Sequence, residues 1–471
     1  MSSLFRRKPI AIDHRGGTVL ARTLSWPHLV ALGVGAIVGT GILTLIGVGA
    51  DRAGPGVILS FVIAGAICAC AALAYAEMAT MIPASGSAYT YSYVVLGEVI
   101  AWVIGWSLIL EYSLVVSTVA VGWSGYASAL LTPLGFPEAL TNGPELGGVV
   151  NLPAIFIIAV VAGLLMLGTK ESATLNAILV VIKLIALAVF VAVAVPHFDA
   201  ANLHPFMPFG FGKSVGADGT ARGVMAAAAI IFFAFYGFDA ISTAAEETKN
   251  PARDLSIGIV GSMFACILIY MGVAVAAVGA LSFTRFADSP EPLALILRGI
   301  GQPGFATFLA ASAVIALPTV LLGFLFGQSR IFFVMARDGL LPQALAKVSS
   351  RGTPVRITAI TAALVAVIAG VMPIDAIAAL ANAGTLAAFV AVCVCMLVMR
   401  RRAPDAERSF RTPLAPLVGG VGVLGCVYLF FSLPQRTQLY FLLWNLVGLA
   451  VYFAWGRRRA AVAEAGLHDA R

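Results

Sequence analysis

Few residues of this 471-residue chain can carry charge-based chemistry, and two of them sit inside long apolar runs. Lys183 lies in Leu179-Val180-Val181-Ile182-Lys183-Leu184-Ile185, and Glu111 in Ile109-Leu110-Glu111-Tyr112. An ionisable group at membrane depth is costly and is kept for function. The Lys183 ammonium can bond to carbonyls freed where a helix breaks, doing the electrostatic work of a sodium ion, and it is a candidate proton carrier. Snorkelling to an interface is the competing reading, but about ten apolar-run residues lie on either side of it. Glu111 reads as a protonated carboxyl or a substrate contact, against a satisfied structural role.

Backbone supplies the rest. Gly33-Val34-Gly35-Ala36-Ile37-Val38-Gly39-Thr40-Gly41-Ile42 carries glycines that each weaken a helix by about 1 kcal/mol relative to alanine. Unwinding at Gly39-Thr40-Gly41 frees N–H groups that can hold a carboxylate, with Ile42 beside them. Phe232-Phe233-Ala234-Phe235-Tyr236-Gly237-Phe238-Asp239-Ala240 places one glycine next to a carboxylate. Freed carbonyls near Phe233, Ala234 and Tyr236 would accept from an ammonium. An anion site facing a cation site suits the two charged ends of an amino acid. Phe238 reads either as an aromatic lid or as packing, Gly237 as the break, and Asp239 as a gate residue or a cap on the second half-helix. Glu77, Glu246 and Glu247 lie near helix ends, where they form a gate with Arg or Lys or are simply solvated.

The elements that must hold these groups are apolar runs near 27–50, 55–80, 98–131, 150–168, 172–195, 224–248, 255–282, 304–337, 355–372, 374–399, 413–433 and 436–456. About 20 apolar residues cross a bilayer, so twelve transmembrane helices are expected. With the N-terminus inside, 22 Lys and Arg fall on the inner side and 6 on the outer, as the positive-inside rule requires. The broken first and sixth spans, and the overlong third and eighth, are each five apart. Such matched interruptions mark two inverted repeats with the site between them. Residues 27–195 and 224–399 are the two five-helix repeats, 413–456 the last two helices, and 1–26 and 457–471 cytoplasmic ends. Pro318 is expected to kink the eighth span.

Composition agrees. Charged residues make up 11% of the chain, against roughly 25% in soluble domains. The fold class is an all-α membrane protein, in the inner membrane of a cell and functional as a monomer. The net charge of +7 follows from topology and implies no nucleic-acid partner. Cys68, Cys70, Cys266, Cys393, Cys395 and Cys426 all lie in apolar runs and read as packing residues. None of His14, His28, His197, His204 and His468 is mid-span, so neither a metal site nor histidine catalysis has ligands. No cofactor is implied. The long segment 196–223, rich in Pro, Gly and Phe, reads as a cover for an outer vestibule or as a disordered connector.

On GVGAIVGTGI (33–42), GWSLILEYS (105–113), the Lys183 segment, FFAFYGFDAISTAAEETKNPARDLSIGI (232–259) and RIFFVMARDGLLP (330–342), the chain resembles the amino acid–polyamine–organocation transporters, and among them the cationic amino acid transporters. The resemblance implies a LeuT-like 5+5 fold and sodium-independent amino-acid uptake, coupled to protons in bacterial members. It implies that Thr40 and Gly41 hold the ligand carboxylate, that the Phe233, Ala234 and Tyr236 carbonyls hold its amine, and that Phe238 gates. It also implies that Lys183 bridges spans 1 and 8, and that Glu111 matters for transport. Around Pro318-Thr319-Val320 no carboxylate is offered to a substrate side chain, which favours neutral or broad substrates. Facilitation or exchange on the same fold is the alternative; a channel or intramembrane enzyme is remote, because no selectivity-filter run or catalytic set is visible.

Overall fold

The computed structural model describes residues 6–8, 22–167, 169–216, 219–287, 289–347, 349 and 353–456. The expected terminal segments 1–26 and 457–471 therefore lie mostly outside the described residues. Where water is absent, backbone groups must bond within their own segment, and the apolar runs are accordingly helical. In chain order the helices are α1 (Trp26–Ile37), α2 (Thr40–Leu43), α3 (Leu45–Ala53), α4 (Val57–Met81), α5 (Ser87–Val95), α6 (Glu98–Leu131), α7 (Leu152–Leu167), α8 (Thr169–Ala194), α9 (Val224–Ile231), α10 (Asp239–Thr243) and α11 (Pro251–Ala280). They continue as α12 (Pro292–Gly299), α13 (Pro303–Ala316), α14 (Pro318–Arg337), α15 (Val355–Val371), α16 (Ile374–Arg402), α17 (Ala415–Ser432) and α18 (Gln435–Val451).

Ten helical segments among the described residues are long and apolar enough to cross a membrane, while α7 and α15 are apolar but shorter, at 16 and 17 residues. Local features set the start of α7 and both ends of α15. Asn151 Oδ1 accepts from the Ala154 amide at 3.1 Å and from Ser124 Oγ at 2.6 Å, so α7 starts only after this cap. Prolines 354 and 373 bracket α15.

Enclosure identifies the centre of the bundle. In Val224–Thr243, 94% of the most apolar stretch is buried, against 17% in Gln435–Ala454. The broken segment is thus the most enclosed and the last helix the most peripheral. Phe156, Ile178, Phe264 and Leu424 project outward from α7, α8, α11 and α17, as apolar side chains do when lipid is the solvent. α6 runs unbroken for 34 residues, whereas Pro303–Arg337 is interrupted at Leu317, where Pro318 lacks the N–H that would continue α13 into α14. α1 packs among α8, α11 and α14, and α6 against α14 and α16.

The described residues between 196 and 223 are tied down at several points. The Asp199 amide and Asn202 Nδ2 both donate to Gly279 O, at 2.9 and 2.8 Å, and Arg52 donates to Ala221 O at 3.0 Å. Within this segment β1 (Ser214–Val215) and β2 (Ala221–Arg222) pair antiparallel.

Candidate functional site

Two helix breaks meet at the centre of the bundle. α1 ends at Ile37; Val38 and Gly39 are extended, and Thr40 and Gly41 already lie in the first turn of α2. The break is therefore earlier than the expected Gly39-Thr40-Gly41, because Thr40 can take helical geometry once Gly39 has absorbed the bend. In the second segment α9 passes through a tight turn at Phe232–Ala234, and the chain reverses its twist at Gly237 (φ +120°) before α10. An L side chain at Gly237 would be strained. The breaks pack reciprocally: a Cβ on Gly41 would fall 2.3 Å from Ala234 Cα, and one on Gly237 would fall 2.9 Å from the Ala36 carbonyl carbon.

Most carbonyls released at the breaks find side-chain donors. Lys183 Nζ donates to Gly35 O and Val38 O, both at 2.6 Å, and to Thr319 Oγ1 at 2.7 Å. Its ammonium thus joins the end of α1 to the start of α14, just after the Pro318 interruption. Tyr270 Oη donates to Ile37 O at 2.7 Å, and Asn382 Nδ2 to Ala229 O at 2.9 Å. What remains open is specific. Among the described residues no hydrogen bond reaches the carbonyls of Phe233, Ala234 and Tyr236, and no backbone bond uses the amides of Thr40 and Gly41. Thr40 Oγ1 and Tyr236 Oη are buried without a partner. One side of the junction offers donors and the other acceptors, and Ile42 is buried beside them.

Carboxylates approach the same junction. Glu111 is fully buried; one oxygen accepts from Thr385 Oγ1 at 2.7 Å and the other has no partner. Asp239 is buried as well, but instead of capping α10 it reaches back to the Gly237 amide at 3.0 Å and accepts from Tyr112 Oη at 2.5 Å. It pins the bend. The Phe238 ring packs between Tyr75 and Phe389, with centroids 5.6 and 5.0 Å away, and Phe233 and Tyr236 contact each other at 4.9 Å.

Access differs between the two faces. A cavity of about 310 Å³ reaches Thr44 and Gly122 from the α12 side. It is lined by α6, the 132–151 connection and Pro290–Glu291, and no residue of the 196–223 segment, read as a vestibule cover or a connector, is among its lining. The opposite face is shut by ion pairs. Arg330 meets Glu247 at 3.1 Å, Arg337 meets Glu246 at 3.1 Å, and Arg6 meets Glu98 at 2.7 Å, while Lys8 meets Asp338. Glu77 is held instead by Arg400 and Arg408, at 2.7 and 3.1 Å.

Sequence reasoning missed Tyr270, Asn382 and Tyr112. Tyr270 and Asn382 are each a polar side chain alone in an apolar run, and that isolation was the available signal; Tyr112 stands beside Glu111. The cysteines are free and, like the rest of the described residues, form no cluster able to hold a metal ion.

These features define a multi-pass membrane protein with a polar junction buried at its centre and approachable from one face. Residues 24–454 match the family model described as Amino acid permease, and the chain belongs to that family. It is 44% identical, over 98% of its length and 99% of the relative's, to Branched-chain amino acid permease BcaP of Bacillus subtilis (strain 168). It is 41% identical, again over 98% of its length and 99% of the relative's, to the Methylthioribose transporter of the same organism. A plant relative, Cationic amino acid transporter 2, vacuolar, of Arabidopsis thaliana, is 38% identical over 86% of this chain and 64% of its own length. The resemblance to the amino acid–polyamine–organocation transporters holds, and the protein is a transporter rather than an enzyme.

Proposed function

We propose that the chain is a sodium-independent, proton-coupled symporter of small neutral or cationic L-amino acids, with branched-chain side chains the first to test. The observation that carries this is the Lys183 clamp on Gly35 O, Val38 O and Thr319 Oγ1. A fixed ammonium supplies the charge that a bound sodium ion would otherwise bring to a broken helix. Transferring its proton would loosen α1 from α14, so protonation and conformation are linked there. The Thr40 and Gly41 amides would hold the substrate carboxylate, and the Phe233, Ala234 and Tyr236 carbonyls its ammonium. Glu111 serves as a second proton-holding group. One relative is named for branched-chain amino acids, and buried Val320 against Gly39 offers an apolar wall.

We read the architecture as twelve crossings, α7 and α15 included, since 16 and 17 residues lie close to the lower limit of roughly 17. Residues 27–195 and 224–399 then form a LeuT-like inverted repeat, supported by breaks at Val38–Gly39 and Phe235–Phe238 that pack reciprocally. The ion-paired face is cytoplasmic in this reading, with both termini, and the protein works as a monomer in the cell membrane. Proteoliposomes test the mechanism. Accumulation of labelled L-valine, L-isoleucine or L-arginine should follow an inward proton gradient without sodium. Accumulation that requires sodium and ignores pH would refute coupling through Lys183, and counterflow without accumulation would make the protein an exchanger or facilitator.

A further inference from the structure

The cavity of about 310 Å³ on the face away from the ion pairs has unmet polar demand of its own. Thr44 Oγ1, Ser128 Oγ and Glu291 Oε2 belong to residues lining it, and all three atoms are buried without a hydrogen-bond partner. Buried polar atoms are almost always paired, so three orphans around one cavity point to an occupant. Glu291 is the only ionisable residue of the lining and is itself 8% exposed. Its Oε1 is taken by Arg298, whose side chain is 43% exposed, while Oε2 stays unused.

A carboxylate can only accept, whereas hydroxyls can accept or donate. The group that satisfies all three atoms is a multiple donor carrying positive charge: a primary ammonium. Val121, Leu146, Pro290 and Ile374 supply apolar wall for a short hydrocarbon chain. The floor lies one helical turn from the central junction, because the Thr44 amide donates to Thr40 O at 2.8 Å. Gly122 also lines the cavity, and a Cβ there would fall 2.5 Å from Thr40 Cγ2. We propose that this cavity is a recruitment site that takes the ammonium of an incoming aliphatic amino acid at Glu291, Ser128 and Thr44 before it reaches the break. The order of events rests on the central junction being the transport site; the ammonium site itself does not.

Isobutylamine, which is valine without its carboxylate, separates the two. It keeps the ammonium wanted by Glu291 and lacks the group wanted by the Thr40 and Gly41 amides. Titrated calorimetrically into the purified full-length protein, it should bind once per chain. Glu291→Gln should weaken it at least tenfold and Ser128→Ala several-fold. Thermal melts identify any variant that fails to fold, and Ser128→Ala, which keeps both partners of the Glu291–Arg298 ion pair, then carries the comparison. No binding at millimolar amine, or equal binding by wild type and both cavity variants, would mean that only water fills the cavity and would overturn the proposal. The central site is judged separately: L-valine uptake by Gly41→Ala at the wild-type rate would remove that reading and leave the amine result standing.

Discussion

A single ammonium decides the residue-scale argument. Lys183 is buried and makes three short bonds, so its removal leaves Val38 O without that donor and Gly35 O with only Thr319 Oγ1, at 3.3 Å, as well as deleting a charge. Lys183→Ala should abolish pH-driven L-valine accumulation in proteoliposomes, at least a hundredfold below wild type; accumulation that keeps its pH dependence would remove Lys183 from the coupling. Gly41→Ala tests the opposite limit, where a methyl group suffices. Its Cβ would overlap Ala234, which is backbone-bound and cannot rotate aside. Uptake of L-valine should fall below detection; uptake at the wild-type rate would remove Gly41 from the transport site. Lys183 was legible in the sequence because a charge in an apolar run has few alternatives to function. Tyr270 and Asn382 were not read, because the carbonyls they satisfy belong to helices distant in the chain, and no local pattern encodes that pairing. The direction of the Phe238 ring was equally hidden, being set by Tyr75 and Phe389 on other helices.

Among the elements, the broken helices followed from their glycines, but the first break falls before Thr40 rather than around it. Glycine density marks where a helix is weak; which residue unwinds is decided by neighbours, here Val320 against Gly39 and Ala234 against Gly41. The second break has a dedicated brace in the Tyr112–Asp239–Gly237 chain of hydrogen bonds. Tyr112→Phe keeps the ring against Phe324 and deletes only the hydroxyl. A buried hydrogen bond to a carboxylate contributes about 1.5–3 kcal/mol, so the melting temperature should fall by several degrees and the maximal uptake rate should drop with it. An unchanged melt would show that Asp239 finds another donor. The Pro318 interruption was legible, since proline cannot continue a helix. Its consequence, presenting Thr319 to Lys183, was not, because it depends on how α14 is rotated against α8.

For the molecule as a whole, closure of one face is an electrostatic matter. The basic bias that oriented the chain from sequence identified which end carries Arg and Lys, but not that Arg330, Arg337 and Arg6 lie against carboxylates in a closed seam. The Arg330–Glu247 pair is the most enclosed of the face-closing set, at 3% and 2% exposure, and the guanidinium also stacks 3.6 Å from the Phe326 ring centroid. Removing one partner of a buried pair costs about 3–5 kcal/mol because the other charge stays desolvated. Glu247→Gln therefore penalises the closed arrangement, while any arrangement open on this face returns Arg330 to water and escapes most of that cost. Even a third of it, about 1.4 kcal/mol, would shift the balance between the two arrangements roughly tenfold. A cysteine at Ser242, buried in α10 behind this seam, reports the shift. In inside-out vesicles its modification by a membrane-impermeant thiol reagent should accelerate at least tenfold in the Glu247→Gln background. The exchanged pair Glu247→Arg with Arg330→Glu should restore slow modification, because attraction survives the swap. Equal modification rates in all three backgrounds, with only the melting temperature changed, would make the pair a scaffold element and place the gate elsewhere.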